Sequence, residues 1–155
     1  PRAGRHPSRL VHPRGLGAMT DRGPHTSSAL HPARWAVPVF ILYALILFTG
    51  THWPNLRIES ALVKRPDLIL HLTAFGTWTT LLWASGLVGS RRAWASPLRA
   101  GLVGVLYAAF DELSQGIPGL GRTVAWDDYA ADCLGVLAGV LASLTLTAWI
   151  RRRPL

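Results

Sequence analysis

Asp67, His71, Asp111, Glu112, Gln115, Arg122, Asp128 and Asp132 are the side chains of this 155-residue sequence whose types and spacing could do chemistry. Of the eight acidic residues in the chain, five fall between Asp111 and Asp132, and Asp67 is a sixth. Carboxylates set beside an imidazole can serve as acid and base when their surroundings drive their pKa values apart. The same hard oxygens could hold a divalent cation, and the Arg122 guanidinium is a planar fork for phosphate or carboxylate. Spacing gathers these residues into stripes, because positions three or four apart share a helix face. Asp67, His71 and Phe75 make one stripe, Gly104, Ala108, Asp111 and Gln115 a second, and Asp128, Asp132, Gly135 and Gly139 a third. Gly135 and Gly139 form a GxxxG pair, and small residues such as these and Gly104 allow close helix approach. The stripes carrying Asp111 and Asp132 are therefore expected to face inward.

The elements that must position these residues are four apolar segments, Trp35 to Thr51, Leu68 to Gly89, Leu98 to Gly116 and Tyr129 to Ile150. Half of the chain is hydrophobic and 15% is charged. A soluble bundle would carry charge at every third or fourth position. These segments do not, and their lengths suit a bilayer core. The sequence predicts an all-α polytopic membrane protein, a bundle of about four transmembrane helices, with the lipid bilayer as its first partner. Trp35 and Trp53 bracket the first segment as interfacial aromatics do, and Pro38 is placed in its first turn, where a missing N–H costs little. Arg151, Arg152 and Arg153 stop the last segment. Residues 35–153 are read as the transmembrane domain and 1–34 as a disordered basic tail, with 1–18 upstream of a start at Met19.

The formal charge of +8 lies in short flanks of the apolar runs and not in a basic stripe, so no nucleic acid partner is expected. From Met19 onward, one side of the predicted bundle receives Arg22, Arg34, Arg91, Arg92, Arg99 and Arg151 to Arg153. The other receives Arg57, Lys64, Arg65 and Arg122. This asymmetry places both termini in the cytoplasm of a bacterial inner-membrane protein. The start of the second segment, the end of the third and the start of the fourth then share the extracytoplasmic face, where all eight polar residues meet. Asp67 and Asp128 could be there simply as helix N-terminal residues favoured by the macrodipole. Asp111, near a helix C-terminus, needs a partner, and Arg122 or His71 is available. Asp127 reads as a solvated loop residue, and the single cysteine, Cys133, as a small buried hydrophobe.

The stretch from Asp67 to Leu144 resembles the VanZ-like membrane proteins. It carries an Asp and a His four residues apart at the start of a helix (Asp67, His71), then DELSQ at a helix end (Asp111, Glu112, Gln115). A Pro-Gly turn closing on an arginine follows (IPGLGR, Arg122), then Asp128, Asp132 and Gly135 opening the final helix. Leu68 stands where the family usually has a lysine, and Leu72 where it has an aromatic. The resemblance implies a four-helix bacterial membrane protein of the cell envelope, from a family named for a member linked to resistance to the glycopeptide antibiotic teicoplanin.

Three functions remain open at this level. A polar pocket could bind an envelope lipid headgroup, a cell-wall precursor, a glycan or a glycopeptide. The cluster could instead catalyse a reaction on an envelope substrate, with His71 as general base. It could also be a buried network that only holds helices together, every member needing a partner, in a protein that works by contacting others or by forming an oligomer. The sequence has no nucleophile elbow, phosphate loop or H-E-x-x-H motif, so neither a cofactor nor a metal is assigned.

Overall fold

A computed structural model describes residues 33–54 and 64–153. Most of the expected basic tail, together with Arg22 and Arg57, lies outside the described residues. The described residues form four helices: α1 (Ala33–Thr51), α2 (Pro66–Ser85), α3 (Ala95–Gln115) and α4 (Trp126–Arg152). Among the described residues there is no strand. All four helices coincide with the apolar segments, and the differences lie at their ends. Pro66 starts α2, its fixed φ suiting the first helical position. Gly86 ends it earlier than expected, in a left-handed conformation (φ 78°) that glycine adopts without strain, its N–H bonding the Trp83 carbonyl. Helix α1 begins two residues before Trp35, so Pro38 lies in its second turn and interrupts its backbone ladder.

The tightest packing is between α2 and α4. Gly135 lies directly on the backbone of Leu72 and Gly76, and Gly139 on the Gly76 carbonyl, so a β-carbon at either would collide with main chain. The GxxxG pair thus works as expected, and its partner is Gly76 on α2. Gly104 brings α3 against Thr79 and Val136. Helix α1 leans on α2, barely touches α3 and makes no contact with α4. It is held by aromatic packing: Phe40 meets Trp78 edge-on at 5.3 Å, and Trp78 stacks on Tyr107 of α3 at 4.8 Å. The Tyr43 hydroxyl also donates to the Ala74 carbonyl at 3.0 Å.

Polarity runs inside out. Asp111 and Asp132 are fully buried, whereas Leu102, Leu106 and Leu113 on the same α3 are more than 60% exposed. Outward-facing Thr73 and Thr77 return their hydroxyls to the carbonyls of Ile69 and Thr73, each at 2.8 Å, and need no external partner. By length and mean hydropathy, Trp126–Arg152 is apolar enough to cross a membrane; Trp35–Thr51 is apolar but shorter. Polar residues lower the hydropathy of the other two helices: His71 and four threonines in α2, and Arg99, Asp111, Glu112 and Gln115 in α3.

The helices alternate in direction, so the end of α1, the start of α2, the end of α3 and the start of α4 meet at one end of the bundle. The opposite end is tied through main chain. Thr147 donates to the Arg91 carbonyl at 3.1 Å, and Arg151 to the Arg92 carbonyl at 2.9 Å while its guanidinium lies over Trp94. Gly135→Ala is expected to destabilise the detergent-solubilised protein by about 1–3 kcal/mol, read as a lowered Tm. Gly50→Ala, where a β-carbon meets nothing within 4 Å, should leave Tm unchanged or raise it.

Candidate functional site

At the end of the bundle where the acids gather, each buried carboxylate is reached by a donor from a different element. His71 Nδ1 on α2 lies 2.9 Å from Asp132 Oδ1 on α4. With Nδ1–H donating to that carboxylate, Nε2 is left free, 3.9 Å from Asp128 Oδ2. Helix α4 presents Asp128 and Asp132 one turn apart, Asp132 fully buried and Asp128 half-buried. The first carboxylate stripe and the third are therefore joined by one imidazole.

Asp111 is held differently from expectation. Its Oδ1 accepts from Thr51 Oγ1 at 2.9 Å and its Oδ2 from Gln115 Nε2 at 3.0 Å. Neither Arg122 nor His71 is its direct partner. Arg122 reaches it through Gln115, donating from Nε to Gln115 Oε1 at 2.8 Å. His52, just past the end of α1, completes this side, with Nδ1 3.8 Å from Asp111 and Nε2 2.9 Å from Ser114 Oγ. Glu112 accepts from the Ala125 N–H at the start of α4 through Oε1. That bond pins the loop carrying Arg122 back onto α3.

The rim is also more structured than expected. Asp127 belongs to the first turn of α4, and its Oδ2 lies 2.7 Å from Arg65 Nη2. The same guanidinium grips Asp67 at 2.9 Å, so Arg65 clasps the first turns of α2 and α4 together. Arg65 holds the Asp67 carboxyl below the usual carboxylate range by hydrogen bonding and charge. The Arg65 guanidinium is in turn raised further by the two acids. Cys133 is only half-buried, short of the full burial expected.

Beside this network lies a cavity of about 600 Å3 between α1 and α2. Its walls combine apolar groups, among them Ile46, Leu47, Leu70 and Phe75, with Lys64, Asp67, His71, Arg122 and Asp128. Of the eight sequence-predicted residues, Asp67, His71, Arg122 and Asp128 line it. Asp111, Glu112, Gln115 and Asp132 stand behind as buried supports. Lys64 faces the same cavity, so a lysine is present near the start of α2 although Leu68 occupies the position after Asp67. Among the described residues, Arg122 makes only its Nε bond and neither Arg122 nor Lys64 forms an ion pair. No group of three His, Cys, Asp or Glu side chains among those residues is placed to hold a metal ion.

Sequence reasoning missed Thr51, His52, Lys64 and Arg65. The first two end an apolar run and read as interfacial residues, and the other two precede Pro66 and read as flanking charge. A donor was needed beside Asp111, and Thr51 is the polar side chain that closes α1, which runs parallel to α3 and ends at the same end of the bundle.

Fold and site together define an all-α, four-helix protein whose buried polar network backs an amphipathic cavity between helices. The chain belongs to the VanZ/LLP1 family, whose model matches residues 34–147. No curated protein and no solved structure shows significant similarity to it.

His71→Ala would leave Asp132, fully buried, without its hydrogen-bond partner. It is expected to cost about 1–3 kcal/mol, measured as a lower Tm. Asp127→Ala, at the exposed Arg65 clasp, should change Tm little, since solvent screens that pair.

Proposed function

We propose that this is a multi-pass membrane protein whose four helices span the bacterial inner membrane with both termini cytoplasmic. In this reading the cavity between α1 and α2 opens at the extracytoplasmic face and binds the phosphate-bearing headgroup of an envelope amphiphile. The inside-out polarity supports the spans: buried acids behind exposed leucines are stable only where the surroundings are apolar. Their ends agree with the charge asymmetry, since Arg91, Arg92, Arg99 and Arg151 to Arg153 gather at the end away from the acids.

The observation that carries the binding reading is the composition of the cavity wall. Two cations with no ion-pair partner among the described residues, Lys64 and Arg122, stand beside apolar surface from α1 and α2. A planar guanidinium fixed through Nε keeps its two terminal nitrogens for a forked contact with phosphate. The relay from Asp111 through Gln115 holds that fork in place before a ligand arrives, which lowers the ordering cost of binding. A volume of about 600 Å3 lies within the range of small-molecule pockets. Its apolar wall suits the first part of a hydrocarbon chain. A cell-wall lipid bound in this way would connect the protein to glycopeptide sensitivity.

A second reading rests on the His71–Asp132 pair. An imidazole oriented by a buried carboxylate and lining a cavity has the arrangement of a general base. A bound phosphoester would then be open to hydrolysis by a water that His71 deprotonates. Conversion of bound lipid by the wild type but not by His71→Gln would favour catalysis. Recovery of intact lipid from both leaves a binding protein.

Arg122→Ala and Lys64→Ala are each expected to weaken binding of a short-chain phospholipid roughly tenfold in detergent titrations, with Tm nearly preserved in Lys64→Ala and lowered in Arg122→Ala, which leaves the buried Gln115 Oε1 without its donor. Unchanged affinity in both variants overturns the binding site. For topology, exposed Ile117→Cys and Ser90→Cys, made in a Cys133→Ala background, should react with an impermeant maleimide from outside and inside respectively. The reverse pattern overturns the orientation.

A further inference from the structure

We infer that the ligand's headgroup pairs its phosphate with a primary ammonium, and that Asp128 is the residue that selects it. The inference rests on the lipid-binding reading and specifies its substrate class. It starts from the charges left over once the internal pairs of the cavity wall are formed. Asp67 is engaged by Arg65 at 2.9 Å, and the same guanidinium is shared with Asp127 at 2.7 Å. His71 is engaged by Asp132 at 2.9 Å. What remains on the wall is Lys64, Arg122 and Asp128.

Asp128 has spare capacity. Its Oδ1 is buried and has no hydrogen-bond partner, and Arg65 approaches no closer than 3.9 Å. Its Oδ2 lies 3.9 Å from His71 Nε2, beyond hydrogen-bond reach. Oδ1 is closed off from solvent, so the oxygen open to a ligand is Oδ2, and a carboxylate oxygen without a partner on the wall of a ligand space gains strongly when it accepts from a cationic N–H. A phosphate alone would complement Lys64 and Arg122 but would leave this acid unsatisfied and repelled. A headgroup carrying a phosphate and an ammonium a few bonds apart complements all three residues at once. The apolar wall formed by Ile46, Leu47, Leu70 and Phe75 then receives the attached chain. Discrimination arises because a quaternary ammonium has no N–H to donate, and a glycerol hydroxyl brings no charge.

The test uses the full-length protein in detergent, titrated with short-chain phospholipids of identical acyl chains bearing ethanolamine, choline or glycerol headgroups, with native mass spectrometry as the readout. The ethanolamine lipid is expected to bind roughly tenfold more tightly than either of the others. Asp128→Asn should abolish that preference while retaining phosphate-dependent binding, which Arg122→Ala weakens for all three lipids. Equal affinities, or preference for the choline or glycerol headgroup, overturn the inference while leaving lipid binding intact, as does an Asp128→Asn variant that keeps the ethanolamine preference. The wild-type series decides the matter by itself if that variant fails to fold. Failure of all three lipids to bind overturns the underlying reading.

Discussion

The backbone contact between α2 and α4 is the constraint on which the rest of the structure depends. Gly76, Gly135 and Gly139 let the two main chains touch, and the same contact fixes which side chains meet above it. Asp132 lies one turn before Gly135, and His71 lies one turn before Phe75 and beside Leu72, whose carbonyl receives Gly135. With the glycines seated, imidazole and carboxylate arrive at 2.9 Å. If the helices span a bilayer as proposed, where they gain little from apolar burial against one another, such close contact and the hydrogen bonds it permits carry much of the association.

Around that axis every buried acid of the polar cluster meets at least one donor. Thr51 and Gln115 serve Asp111, the Ala125 N–H serves Glu112 and His71 serves Asp132. The donors come from α1, α2, α3 and the loop before α4, so the network closes the bundle at one end as the Thr147 and Arg151 bonds to main-chain carbonyls close it at the other. Holding helices together and preparing a site are not alternatives in this arrangement. Asp111 anchors Gln115, and Gln115 aims Arg122.

Much of this was legible in the sequence because helical period and the antiparallel order of four apolar segments act together. Stripes at three- and four-residue spacing identified which faces of α2, α3 and α4 turn inward, and antiparallel connection brought their polar ends together. Asp111, Glu112, Gln115 and Asp132 are all buried as that logic requires. Pairings were less legible, because side-chain reach is shorter than the uncertainty in helix rotation. The acid at position 111 takes a hydroxyl from α1, and the arginine at position 122 stops one residue short of it. Arg65 illustrates a different limit: before Pro66 no helical period applies, so its clasp on Asp67 and Asp127 has no signature in spacing. The cavity depends on how far α1 stands from α2, which no pattern within either helix encodes.

Helix α1 is bound to its neighbours by few attachments: the Phe40–Trp78 edge, the Tyr43 hydroxyl on Ala74, and Thr51 and His52 at the tip. It nonetheless forms a whole wall of the cavity, while the residues proposed to read a headgroup sit just before α2 (Lys64), in the loop before α4 (Arg122) and on α4 (Asp128). The loosely attached wall of the cavity and its tightly joined wall are thereby different parts of the molecule: α1 stands apart from the helices that the glycine seam and the His71–Asp132 pair hold together.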